Sequence, residues 1–336
     1  MKPYLSILAL LLCLTILFVS CDSNSGKPAE TTAATPETTG AAEETTLNAE
    51  TTADVTTSPE ETTADETTAE ETTAEETTAE ETAAGTTGVP GVIFSSDYLS
   101  VGDSIANGYG LMNQTAERYS ALLQASLSLG KLNSSAVDGQ TSSELLLALE
   151  SGILTKNNSL VTVSTGANNI LRPAIPVLLS ALTNPQAAQA TLTSPEFDAT
   201  LKAGIAALAE DLPKIVAKIR AANPNADIVL MTVYNPFKGV KGVSLANGFT
   251  VDFDLSALTD GYICAMNEII KEIAEETGCI LADVYTAFEE SETRVVNVIV
   301  DENGYVSNSY DPHPNAAGHQ LIADVIRATL SDAPAN

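Results

Sequence analysis

Tyr98-Leu99-Ser100-Val101-Gly102-Asp103-Ser104-Ile105-Ala106-Asn107-Gly108-Tyr109-Gly110 is the stretch around which the rest of the chain is organised. A short apolar run ends in Gly-Asp-Ser, and small residues and glycines follow before a helix-like segment. The pattern predicts a buried strand that delivers Ser104 to the mouth of a sheet, with glycines that leave room for something to approach the backbone. A serine placed there is either a helix cap or a nucleophile. Asp103 beside it reads as a group that fixes the turn by hydrogen bonding.

Outward from this stretch, strand-like and helix-like segments alternate. Strands are expected at Asp97–Val101, Leu132–Val137, Leu160–Ser164, Ile228–Val233 and Cys279–Val284, with a small extra one over Val295–Val300. Helices are expected at Ala116–Leu129, from caps at Ser142 and Ser143 through Leu149, over Glu196–Ala221 with a kink or restart at Pro213, over Leu258–Glu276, and after Pro314 to Leu330. Pro173, Pro176, Pro185 and Pro195 are expected to break the preceding residues into short pieces, and Asn235–Phe253 reads as a glycine-rich loop. This alternation predicts an α/β domain, a parallel sheet with helices on both faces. Ligands of such sheets bind beyond the carboxyl ends of the strands. Gly102-Asp103-Ser104, Gly139, Gly166-Ala167-Asn168 and Asp311-Pro312-His313 all follow strands, so four polar clusters are expected along one edge.

Composition divides the chain. Of its 336 residues, 22–90 hold 17 of the 44 acidic residues and one base, Lys27, whereas 91–336 carry 27 acids against 13 bases. An acidic domain on an acidic segment excludes nucleic acid as a partner, because binding phosphates needs Lys and Arg. The same charge disfavours electrostatic adhesion to anionic lipid. The 246 residues of 91–336 suffice for one sizeable core. Residues 21–90 are Thr, Glu and Ala, with a near-perfect Glu-Thr-Thr-Ala-Glu repeat between Glu61 and Glu81, and lack the apolar residues that would offset the entropy of ordering. They read as a solvated tether with a reach on the order of 230 Å.

Met1-Lys2 and an apolar run from Tyr4 to Val19 precede Ser20-Cys21. The run is short for a bilayer span and resembles a bacterial lipoprotein signal, residues 1–20, with diacylglycerol on the Cys21 thiol. Acylation of that kind gives stable membrane attachment, and the expected location is extracytoplasmic, at the cell surface. Cys264 and Cys279 lie near the two ends of one expected helix, roughly 20 Å apart by helical rise. That is too far for a disulfide, and both read as buried free thiols.

Attack by a serine on an ester needs a base for the hydroxyl, a group that orients the base, and donors for the oxyanion. The chain has two histidines, His313 and His319. His313 sits between Pro312 and Pro314 in a stiffened loop, whereas His319 falls inside the last helix, where a packing or solvated role is expected. Asn168 offers a side-chain amide, and the backbone N–H groups of Ser104 and Gly139 could complete an oxyanion hole. Asp311, His313 and His319 do not have the spacing of a zinc site, and no metal or cofactor is expected.

Together these residues resemble the SGNH (GDSL) hydrolases. Gly102-Asp103-Ser104 with Ile105-Ala106-Asn107-Gly108 matches the first block of that family, Gly139 the second, Gly166-Ala167-Asn168 the third, and His313-Pro314 the last. The resemblance spans about 97–330. It implies a flavodoxin-like three-layer α/β/α fold with a five-stranded parallel sheet, and acyl-ester hydrolysis or transfer without a metal. It assigns Ser104 as nucleophile, His313 as base, and Ser104 N–H, Gly139 N–H and the Asn168 amide as oxyanion donors. Two positions depart from the pattern. The family's aspartate stands three residues before the histidine, where this chain has Tyr310. Asp311, two before, orients His313 through an altered turn, or a backbone carbonyl does so instead. Asn169 stands where Asp commonly follows the third-block Asn, which bears on the local loop.

The expected activity is serine-dependent hydrolysis of a carboxylic ester, the substrate being an acylated polysaccharide or a lipid. Two alternatives stand beside it: an O-acyltransferase acting on surface glycans with the same residues, and a non-catalytic surface binding protein on this scaffold.

Overall fold

A computed structural model describes residues 97–180, 183–244, 250–306 and 310–332. The expected leader, Cys21 and the 21–90 tether lie outside the described residues. Strand β1 (Asp97–Gly102) runs into a four-residue helix, α1 (Ser104–Asn107). Helices α2 (Gln114–Glu117) and α3 (Tyr119–Ser126) lead to β2 (Leu132–Ala136), and α4 (Ser142–Glu150) to β3 (Asn158–Ser164). Three helices follow, α5 (Ala167–Ser180), α6 (Pro185–Leu192) and α7 (Pro195–Ala222), before β4 (Asp227–Met231). Short strands β5 (Gly242–Ser244) and β6 (Thr250–Asp252) precede α8 (Leu255–Thr277) and β7 (Ile280–Ala282). Helix α9 (Val284–Glu290), β8 (Tyr305–Val306) and α10 (Ala316–Asp332) complete the order.

The main sheet has the order β2-β1-β3-β4-β7, and every pairing in it is parallel. This is the flavodoxin-like order. Strand order reverses between β1 and β3, which opens a crevice between the loops that leave those two strands. Those loops carry Ser104 and Asn168. The strands must approach closely for this: a Cβ on Gly102 would lie 1.8 Å from the Ser164 carbonyl oxygen, and Gly102 has φ +130°. Only glycine fits there.

Alternation along the strands builds the three layers. Leu99, Val101, Val161 and Val163 enter one core with Leu145 of α4, Leu212 and Ile215 of α7, and Met266 and Ile270 of α8. Tyr98, Leu160 and Val229 point the other way, against Leu123 of α3 and Ile322 and Ile326 of α10. Each fully buried Leu or Ile contributes about 1.5–3 kcal/mol. The second layer also encloses a polar seam. The Tyr98 and Tyr119 hydroxyls lie 2.7 and 3.3 Å from Thr162 Oγ1. Tyr119 N donates to His319 Nδ1 at 3.2 Å, so the imidazole takes up an N–H at the start of α3 that no helical carbonyl can accept.

The long apolar helices and the sheet agree with the sequence reading, with local corrections. Ala116–Leu129 is not one helix: Arg118 is extended (φ −65°, ψ 145°), separating α2 from α3, because docking of Tyr119 against His319 sets the start of α3. The cap of α4 is Thr141, in a capping box with Glu144, while Ser142 and Ser143 both donate to Asp211 Oδ2. Helix α5 runs unbroken through Pro173 and Pro176, and α7 through Pro213; burial of one helix face outweighs the lost N–H bonds. Val295–Val300 is not a strand but holds two isolated bridges, Val296 to Pro314 and Val300 to Val306. The supposed loop Asn235–Phe253 contains β5 and β6, which join β8 in a small second sheet. Cys264 and Cys279 are free as expected, but half-buried rather than buried.

His319 has no exposure, and burial, with His313 adding to it, pushes its pKa down to about 4. The unfolded chain binds a proton near 6.5 and the folded one only near 4, so stability is full above pH 6.5 and is lost as pH falls through that window, by about 3 kcal/mol. His319→Gln should therefore gain about that much relative to the wild type between pH 7.5 and 4.5, read by urea unfolding at each pH. Parallel pH profiles would contradict a buried neutral imidazole.

Candidate active site

The site is built where β1 ends. Asp103 caps α1, its Oδ1 accepting from Ile105 N at 3.0 Å and from the Ser164 hydroxyl at 2.9 Å. That pair of bonds ties the turn after β1 to the end of β3 and leaves Ser104 as the first helical residue. Asp103 is 1% exposed, and burial pushes its carboxyl up to about 6 although both hydrogen bonds and His313 pull the other way.

His313 reaches Ser104 from the far end of the chain. Its Nε2 lies 2.8 Å from Ser104 Oγ, and its Nδ1 lies 2.5 Å from Asp311 Oδ1. With Asp311 ionised, Nδ1 carries the proton and donates to the carboxylate, which leaves Nε2 to accept the Ser104 hydroxyl. Asp311 achieves this from two residues upstream by a tight turn in which Oδ1 also accepts His313 N at 3.1 Å. Of the two alternatives left by the sequence, the structure contains the carboxylate. Burial raises the Asp311 pKa, but its bonds with the His313 ring and backbone and with Asn297 outweigh that and hold it below the usual range. Tyr234 donates to the Pro312 carbonyl at 2.9 Å, and the Tyr109 ring lies 4.5 Å from the imidazole, so the loop is held on both sides. His319, as expected, takes no part.

Asn168, buried at the start of α5, donates one Nδ2 proton to the Gln140 carbonyl at 3.1 Å, which leaves the second. Asn107 of α1 donates to Asp138 at 2.9 Å. The turn containing Gly139, which has φ +75°, is thus pinned from both sides, by Asn107 of α1 and by Asn168 itself. Asn169 serves the scaffold: its oxygen accepts Ser142 N, and its nitrogen donates to Ser142 Oγ and to Gly204 O of α7.

Ser104, Asn168 and His313 open onto an apolar cleft with about 670 Å³ of space including its mouth. Ile170, Leu171 and Ile175 of α5 line it from one element, Val233, Pro236 and Phe237 after β4 from another, and Ile263 of α8 from a third. The two wall hydroxyls are already engaged, Tyr234 with Pro312 and Thr259 with Leu255 O and Asn235 Oδ1.

A family model for the GDSL-like lipase/acylhydrolase family matches residues 100–321, more than half of the chain. The chain belongs to this family. Among solved structures it is similar to phospholipase A1 from Streptomyces albidoflavus NA297, at 22% identity over 70% of this chain and 99% of that one, with a TM-score of 0.52. It is also similar to an extracellular lipase from Streptomyces rimosus, at 20% identity over 70% of this chain and 100% of that one, TM-score 0.52. At these identities the likeness bears on the fold. No curated protein matches the chain. GDSL-like membership makes the chain a hydrolase, on the α/β scaffold described above.

Sequence reasoning missed Asn297, whose Nδ2 donates to Asp311 Oδ2 at 3.0 Å. Its signal was a lone amide inside Val295-Val296-Asn297-Val298-Ile299-Val300. It also missed Tyr234, which no spacing marks.

Asp103 supplies the test of this electrostatic account. Its folded pKa, about 6, lies above the unfolded value near 3.9, so the protonated form favours folding and ionisation costs about 3 kcal/mol as pH rises through 6. Asp103→Asn retains an oxygen acceptor for both hydrogen bonds. Its stability relative to wild type should rise between pH 4 and 7.5, measured by denaturant unfolding; a difference independent of pH would refute burial of the charge.

Proposed function

We propose that the protein is a serine esterase that cleaves carboxylic esters with an apolar acyl group. The hydrogen-bonded chain Asp311–His313–Ser104 at the mouth of an apolar cleft carries this reading. Ser104 Oγ attacks the carbonyl carbon while its proton passes to His313 Nε2, and Asp311 stabilises the imidazolium through Nδ1–H. Ser104 N–H, Gly139 N–H and the second Asn168 amide proton receive the oxyanion. Collapse breaks the ester C–O bond, and His313 returns the proton to the departing alcohol. Water, giving a proton to His313, then attacks the acyl carbon; collapse breaks the bond to Ser104 Oγ, which takes that proton back from His313, and the acid leaves.

The cleft supports an acyl group longer than acetyl, because its walls are aliphatic and aromatic and their hydroxyls are spent within the protein. Ile175 stands seven residues along α5 from Asn168, about 10 Å by helical rise, which gives the acyl chain a wall of that length. We further propose that the enzyme is anchored through a lipidated Cys21 and displayed outside the cytoplasm on residues 21–90. The apolar run ending at Cys21 and the composition of 22–90 support that placement.

A panel of p-nitrophenyl esters from acetate to palmitate, with acetylated xylan, tests the reading. Turnover should rise from acetate to a longer acyl chain. Ser104→Ala should abolish it without lowering Tm, and Asn168→Ala should lower kcat by about 10²–10³. Wild-type turnover in Ser104→Ala would overturn the nucleophile, and an unchanged kcat in Asn168→Ala would remove that amide from the oxyanion hole.

A further inference from the structure

We infer that Asn297 is a positioning residue of the active site, holding the Asp311 carboxylate in the rotation that faces His313 Nδ1. The inference rests on the reading of Ser104, His313 and Asp311 as a catalytic triad. Asp311 comes from only two residues before the histidine, so its Oδ1 serves two donors at once, the His313 backbone N–H at 3.1 Å and the ring Nδ1 at 2.5 Å. A small rotation of the carboxylate would break the ring bond while keeping the backbone one. Oδ2 decides that rotation, and it is held by Asn297 Nδ2 at 3.0 Å. The Asp311 side chain is 33% exposed, so without the amide, water competes for Oδ2 and for the rotation.

Asn297 grips the histidine as well. Its backbone N donates to the His313 carbonyl at 2.9 Å, so one residue fixes the carboxylate from its side chain and the imidazole's own backbone from its main chain. The segment is anchored independently of that side chain. Val296 bridges to Pro314, Asn315 N donates to Val295 O at 3.0 Å, and Asn315 Nδ2 donates to Arg294 O at 2.7 Å. Gly110 covers the pair: a Cβ there would stand 3.1 Å from both Asn297 Nδ2 and Asp311 Oδ2. A substitution at Asn297 can therefore remove the amide and leave the loop in place.

The test compares Asn297→Ala in the full chain with the same change in an Asp311→Ala background. In the wild-type background kcat should fall about 10-fold with KM changed by less than about twofold, the mark of an interaction that matters beyond ground-state binding. In the Asp311→Ala background the added loss should be under about twofold, because the amide then has nothing to hold. Asn297→Asp, of the same size but with no proton to donate at pH 8, should lose at least as much as Asn297→Ala and stands in for it if the alanine variant does not fold. A second readout needs no substrate. With two histidines in the chain, the low-field Nδ1–H resonance of His313 is readily assigned, and it should broaden in Asn297→Ala as the carboxylate lets go. An unchanged kcat, an equal loss in both backgrounds, or an unchanged resonance would overturn the inference. If the wild type cleaves none of the esters, the esterase reading fails and the resonance alone decides the role of Asn297.

Discussion

A hydrogen bond of 2.8 Å joins Ser104 to His313 across 209 residues of sequence, and the arrangement of the whole domain serves to place its two ends. One end is set by the sheet. β1 and β3 approach so closely at Gly102 and Ser164 that no side chain fits between them, and Asp103 then locks the turn to β3. The other end is set by a loop that owes nothing to the sheet directly. Pro312 and Pro314 stiffen it, Tyr234 and Tyr109 hold its sides, and residues 294–297 run beneath it. Neither end makes a site alone.

Burial gives this bond its chemical value. His313 and Ser104 are both buried residues, and in such surroundings a hydrogen bond or a developing charge feels its neighbours more strongly than in water. The same burial acts in opposite senses on the groups nearby. It raises Asp103 toward neutrality and keeps the His319 imidazole uncharged, whereas Asp311 collects enough donors to stay ionised. Three titratable groups around one histidine are thus separated by their hydrogen-bond supply rather than by their distance from water alone. One carboxylate next to His313 is held ionised and aimed at it, while the other supports the turn.

Much of this was legible in the sequence, and the reason is that short-range chemistry marks it. Gly102-Asp103-Ser104 follows an apolar run, Asn168 follows Leu-Val-Thr-Val-Ser, and His313 lies between prolines, so each declares its place after a strand or in a rigid loop. The parallel sheet followed from the alternation of strands and helices. What was not legible depends on contacts distant in the chain. The break at Arg118 exists because Tyr119 meets His319, and α5 survives two prolines because its apolar face is buried. The strands β5 and β8, of three and two residues, are too short for any alternation to show. Asp311 could be placed near His313 by proximity alone, but the turn that aims it and the Asn297 amide that secures it are visible only in three dimensions.

The central claim is that the His313 contact makes Ser104 a nucleophile. Labelling with a fluorophosphonate probe, followed by peptide mass spectrometry, measures that directly. The account predicts a single adduct on Ser104 in the wild type and its loss in His313→Ala. An adduct elsewhere, or equal labelling of Ser104 in the two proteins, would contradict it.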